Sequence, residues 1–123
     1  MLFLFLGASP RKINGEEMTK PLVVCLCGST RFRNEFVEQN RLFTMGGFIV
    51  LAPGVFAHDG DPLTEEQKEN LDHLHMDKID LSDFIYVVNP GGYIGSSTRN
   101  EIDYAVDTGK LVQYLEIVGG KEK

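Results

Sequence analysis

Glu101 stands behind a glycine- and serine-rich segment, residues 89–98, which itself follows the apolar run 84–88. A turn that leaves a buried strand and opens a helix aims free backbone N–H groups and a helix N-terminus at one point. That point attracts phosphate or another anion. One helical turn further on, Glu101 places a carboxylate beside it. An anion cradle next to a lone carboxylate suits a phosphorylated sugar whose anomeric carbon is attacked. The carboxylate also has a purely structural reading. Thr98 and Glu101 have capping-box spacing, and Glu at the third helical position is common for that reason alone. The two roles are compatible, because a carboxylate fixed at a helix start is held rigidly.

Gly28, Ser29, Thr30 and Arg31 form a second such turn after the apolar run 22–27. Gly28 lets backbone approach a ligand, Ser29 and Thr30 offer hydroxyls, and Arg31 offers a bidentate clamp for phosphate. The plainer alternative is a strand-to-helix turn with Ser29 as N-cap. Neither loop fits a dinucleotide fingerprint or a P-loop. Arg33 and Arg99 are expected to face solvent. A third group lies in the helical stretch 64–82, where His75 shares a face with Leu71 and Ile79, and Asp77 lies one turn from His73 and Asp80. His75 reads either as a packing histidine or as a catalytic one. Asp83 is placed to fix the turn before the next strand. His58, in the long loop 55–63, belongs to a substrate lid or to a solvated turn.

The elements that must position these residues alternate. Residues 22–27, 48–51, 84–88 and 111–115 are short apolar runs of the kind buried on both faces of a parallel sheet. Between them, Phe32, Phe36, Val37 and Phe43 recur at helical spacing before Gly46 and Gly47. Thr64 and Gln67 open a second helix with a capping box. Ser97 or Thr98 opens a third, carrying Ile102, Ala105 and Val106 and ended by Gly109. The pattern predicts an α/β fold, a Rossmann-like or flavodoxin-like three-layer sandwich with a parallel sheet of four to five strands. The first strand lies centrally, between the second and the third, so the topological switch point falls at the two glycine-serine loops.

The 123 residues make one domain. A net charge of −6 disfavours a nucleic-acid polymer or an anionic membrane as partner. Cys25 and Cys27 read as small core residues in a reducing cytosol, on opposite strand faces and unable to bridge. With His58, His73 and His75 they show no spacing typical of a metal site, so no metal and no organic cofactor is expected. Residues 1–6 are apolar but far shorter than the roughly 20 residues of a spanning helix. Residues 1–17 read as an extension upstream of a start at Met18, or as an extra edge strand or dimer contact. The domain then runs over 18–118, with a polar tail at 119–123.

Three segments together resemble the nucleoside 2-deoxyribosyltransferase superfamily, which includes the 2'-deoxynucleoside 5'-phosphate N-hydrolases. They are residues 26–31, residues 82–88, and residues 95–105 followed by Gly109 and Lys110. The resemblance spans roughly residues 22–115 and is nearest to small bacterial and phage members. It implies that Glu101 attacks the anomeric carbon, that the base leaves, and that water or a second base resolves the intermediate. Family members also use an aspartate on the preceding helix. The ungapped match puts His75 there, with Asp77 two residues on, which implies base assistance by one of the two. The segment 90–96 also looks like the phosphate loop of cytokinin-activating phosphoribohydrolases, with extra residues before the glutamate.

The expectation is therefore a cytoplasmic N-glycosidase or deoxyribosyltransferase acting on a (deoxy)nucleoside or its 5'-monophosphate. Glu101 is the nucleophile, and Asp77 or His75 assists. Gly28, Ser29, Thr30, Arg31, Gly95, Ser97 and Thr98 hold phosphate and sugar. The alternative is a nucleotide-binding module of the same fold without turnover. The resemblance, with Tyr104, Tyr114 and the apolar residues 1–6 as contact area, implies a homodimer or a dimer of dimers.

Overall fold

Alternation along each central strand divides the core into two layers. In this computed structural model, which describes residues 9–117, Val24 and Leu26 point to one side of the sheet and Cys25 and Cys27 to the other. The chain runs β1 (Ser9–Ile13), β2 (Glu16–Lys20), β3 (Val23–Cys27), α1 (Arg33–Met45), β4 (Ile49–Leu51), α2 (Glu65–Leu81), β5 (Phe84–Val87), α3 (Ser96–Asp107) and β6 (Leu111–Tyr114). The main sheet is parallel, with four strands in the order β4-β3-β5-β6. This is the α/β sandwich with the first strand of the sheet central, as the pattern of apolar runs predicts.

On one face Phe36 and Phe43 of α1 pack with Phe48, Phe84 and Tyr86. Phe43 sits at the centre, 4.8 Å from Tyr86 and 5.2 Å from Phe48 between ring centroids in edge-to-face contact. On the other face Ile79 of α2 and Ile102 and Ala105 of α3 cover Ile85 and Val87. The capping box of α2 is present in full: Gln67 N donates to Thr64 Oγ1 at 3.1 Å, and Thr64 N to Gln67 Oε1 at 3.0 Å. Asp83 does fix the turn into β5, since its Oδ2 accepts from Val23 N at 2.7 Å.

Two expectations are corrected. Cys25 and Cys27 share a face, because residues two apart on a strand point the same way. Val37 and Val106, assigned to the buried faces of α1 and α3, are 62% and 59% exposed, so the apolar stripes are narrower than their spacing suggests. Residues 9–20 form an antiparallel hairpin of their own, β1 with β2, around Asn14 and Gly15, both at positive φ, apart from the four-stranded sheet. Tyr104 and Tyr114 are half-buried and pack against the core. Residues 1–6 and 119–123 lie outside the described residues. Among the described residues no helix is long and apolar enough to cross a membrane.

Candidate active site

The carboxyl ends of β3 and β5 converge where the sheet order reverses, and each delivers one glycine-serine loop. Gly28 has φ of +155°, and a Cβ there would lie 2.6 Å from Val88 O and 3.3 Å from Phe36 Cζ. Only glycine lets the two strand ends approach this closely. Ser29 Oγ accepts from Arg31 Nε at 3.1 Å and from Arg31 N at 3.3 Å. The Arg31 guanidinium lies 4.6 Å above the Tyr93 ring, so the two loops touch across the cleft. Thr30 Oγ1 is 3.0 Å from His58 Nδ1 and accepts from His58 N at 3.3 Å, which fastens the 55–63 loop over the site. Arg33 does not simply face solvent. It pairs with Asp61 at 3.5 Å and stacks on Phe56 at 4.6 Å, bracing that loop.

The second loop is held from beneath by Asn89, which is fully buried. Its Oδ1 accepts from Glu116 N at 2.9 Å and its Nδ2 donates to Glu116 O at 3.1 Å; the Glu116 carboxylate accepts from Gly91 N at 3.0 Å. α3 then begins differently from expectation. Its N-cap is Gly95, and no side chain caps it. Ser97 and Thr98 are inside the first turn, and Glu101 is in the second. The capping-box reading of Glu101 therefore fails, and Ser29 is not a cap either, since α1 is preceded by Phe32. With no side-chain acceptor, the first N–H groups of α3 are left for a ligand.

Between the loops lies a cavity of about 300 Å³. It is at the lower end of small-molecule sites. Gly28, Ser29, Thr30, Arg31, Gly95, Ser97, Thr98, His75 and Glu101 all line it. Asp77 does not: it is exposed, because two residues beyond His75 is about 200° around the helix. Sequence reasoning passed over Lys68, Asp72 and Lys78, which line the cavity with Leu71 and His75. Positions 68, 71, 72, 75 and 78 form one helical stripe, so a full projection from His75 would have found them. Lys68 pairs with Asp72 at 3.8 Å, and Lys78 Nζ donates to Ala52 O at 2.8 Å. Arg31, Lys68 and Lys78 make this cleft locally cationic in an acidic chain.

Under the cavity floor, four titratable side chains meet. His75 Nε2 is 3.8 Å from Glu101 Oε1, 3.4 Å from Cys27 Sγ and 3.7 Å from Cys25 Sγ. Sequence spacing showed no ligand set among the cysteines and histidines. These thiols and this imidazole have their donor atoms within 4.8 Å of one another, from positions too far apart in the chain to show as a motif. Glu101 Oε1 is buried without a hydrogen-bond partner. Burial pushes the Glu101 carboxyl up to about 7 against the opposing charge of His75. Burial would lower His75, but its hydrogen bond to Cys25 and the charges of Glu101 and Cys25 outweigh that and raise it. Cys25 is lowered to about 6, led by its hydrogen bond with Cys27, while burial pushes Cys27 well up. The chemistry on offer is a carboxylate of adjustable charge beside a cationic cleft.

No protein-family model matches the chain, and no curated protein or solved structure matches it significantly.

Proposed function

We propose that the protein cleaves or transfers the N-glycosidic bond of a (deoxy)nucleoside or its 5'-monophosphate, with Glu101 as nucleophile. The observation that carries this is the setting of Glu101. Its carboxylate lines the cavity from the second turn of α3, caps nothing, and keeps one buried oxygen without a hydrogen bond, 3.8 Å from His75 Nε2. A carboxylate held so is costly to the fold and available to an electrophile. The uncapped start of α3 and Arg31 supply what a 5'-phosphate needs, on one side of that oxygen. His75, and not Asp77, is the helix α2 group at the reaction centre. In its protonated form it keeps Glu101 ionised. A proton for the departing base must come from a group lining the cavity, and Asp72, three residues before His75, faces the same space.

Incubation with a panel of nucleosides and nucleoside 5'-monophosphates, followed by chromatography for free base, tests the reading. Base release by the wild type and its loss in Glu101→Ala, with the fold retained by circular dichroism, are expected. Turnover in the variant at a tenth or more of the wild-type rate refutes the nucleophile. Tight nucleotide binding by the wild type without base release would instead support a binding module.

A further inference from the structure

We propose that Cys25, Cys27 and His75 form a binding site for a thiophilic divalent cation of the zinc class, with the fourth position open toward the cavity beside Glu101. The donors come from two elements that the fold presses together: β3 supplies both thiols on one face and α2 supplies the imidazole. All three N/S donors belong to buried residues.

The imidazole-to-thiol spacing fits a tetrahedral ion. Zinc lies about 2.3 Å from thiolate sulfur and about 2.0–2.1 Å from imidazole nitrogen, which sets S···N separations of about 3.6 Å. The two observed separations, 3.4 and 3.7 Å, bracket that value. Hydrogen bonding alone serves the cluster poorly. A neutral imidazole nitrogen offers one lone pair, yet Nε2 faces two thiols. The backbone carbonyls those thiols reach lie at 4.0 Å, the outer limit for sulfur. Glu101 Oε1, 3.8 Å from the same Nε2, has no hydrogen-bond partner. One cation held by two thiolates and one imidazole satisfies those three groups at once. Thiolate and imidazole donors select zinc-like ions and reject magnesium and calcium, which need oxygen cages. His75 and Glu101 line the cavity floor, so the cavity is the entry path.

A cation held there places its charge beside the oxygen that the glycosidase reading needs as nucleophile. Resting on that reading, zinc occupancy and bond cleavage exclude each other. The site itself does not depend on it.

The test uses the full chain, reduced, stripped with a chelator and exchanged into chelator-free buffer. Titration with Co²⁺ is expected to give one ion per chain, a thiolate-to-cobalt charge-transfer band in the near ultraviolet and the visible bands of tetrahedral cobalt. One equivalent of Zn²⁺ should bleach them, and Mg²⁺ should not. Glu101→Gln should keep the charge-transfer band and weaken binding about 10–100-fold, while Cys25→Ser with Cys27→Ser should lose the band. No charge-transfer band from the folded wild type overturns the proposal, whatever the variants do. Stoichiometric cobalt binding that survives in a folded double-serine variant overturns it as well. If base release is established, Zn²⁺ at one equivalent should abolish it. Release unaffected by a spectroscopically occupied site refutes the exclusion but leaves the metal site standing.

Discussion

Replacing Glu101 with glutamine should stabilise the protein at alkaline pH while removing its proposed chemistry. The carboxyl has an ordinary value of 4.5 and stands at about 7 in the fold, with burial as the leading cause. Its side chain is only 13% exposed, so solvent screens little of this. The groups facing it are His75 and Asp72 from α2 and Cys25 and Cys27 from β3. The folded-state value is raised, so the protonated form is favoured by folding. Its contribution to stability is complete below about pH 4.5 and is lost as pH rises through about 7. At about 1.4 kcal/mol per tenfold change, the gap between 4.5 and 7 amounts to about 3 kcal/mol at pH 8. Glutamine is neutral throughout and escapes that loss. For a chain of this length about 3 kcal/mol corresponds to roughly 10 °C in Tm. Thermal melts of wild type and Glu101→Gln at pH 5 and pH 8, with chelator to keep the thiol site metal-free, read the difference directly. The variant should match the wild type at pH 5 and exceed it at pH 8. If Glu101 were a structural partner of His75, removing its charge would instead destabilise the fold at pH 8. That result, or a difference independent of pH, would refute the account of Glu101 as a strained, functional carboxylate.

Other consequences follow from the loops and the surface. Gly28→Ala places a Cβ 2.6 Å from Val88 O at a φ few side chains adopt; it should cost about 2–4 kcal/mol in urea melts. Arg31→Ala should raise KM for a nucleoside 5'-monophosphate by the equivalent of about 1.5–3 kcal/mol and leave the KM for the free nucleoside nearly unchanged, which steady-state kinetics on both substrates would show. Leu81, Val106 and Leu111 are 71%, 59% and 60% exposed and offer apolar area for a symmetric contact, so light scattering across a dilution series should find a homodimer or a dimer of dimers. An active monomer at micromolar concentration contradicts that assembly.

What was legible in the chain was whatever depends on neighbours in sequence. The capping box at Thr64 and Gln67, the apolar runs, and the two glycine loops lie within a few residues, and each formed as local chemistry dictates. The strand order followed because short connections leave few topologies, and it brought both loops to one cleft. The start of α3 was misplaced by a turn because Gly95, Ser97 and Thr98 are all acceptable caps. The choice fell to Gly95, and Thr98 went into the buried wall of the cavity. Asp77 entered from its nearness to His75 in sequence, and Asp72 was passed over, where angle around the helix decides.

The cluster under the cavity was illegible for a deeper reason. Its members lie at positions 25, 27, 75 and 101, and only the packing of α2 and α3 on β3 brings them together. The buried hydrophobic residues around Cys25 and Cys27 on that face are Ile79, Ile85, Val87, Ile102 and Ala105. An apolar residue at 75 or 101 would spare the fold two desolvated ionisable groups and an unpartnered oxygen. Folding alone therefore does not account for His75 and Glu101. Ionisable groups set into a core under the cavity that two glycine loops frame support the reading that stability has been given up there for chemistry. Both the nucleophile and the metal site are readings of that single departure, and the pH dependence of Glu101→Gln and the cobalt spectrum address it through different observables.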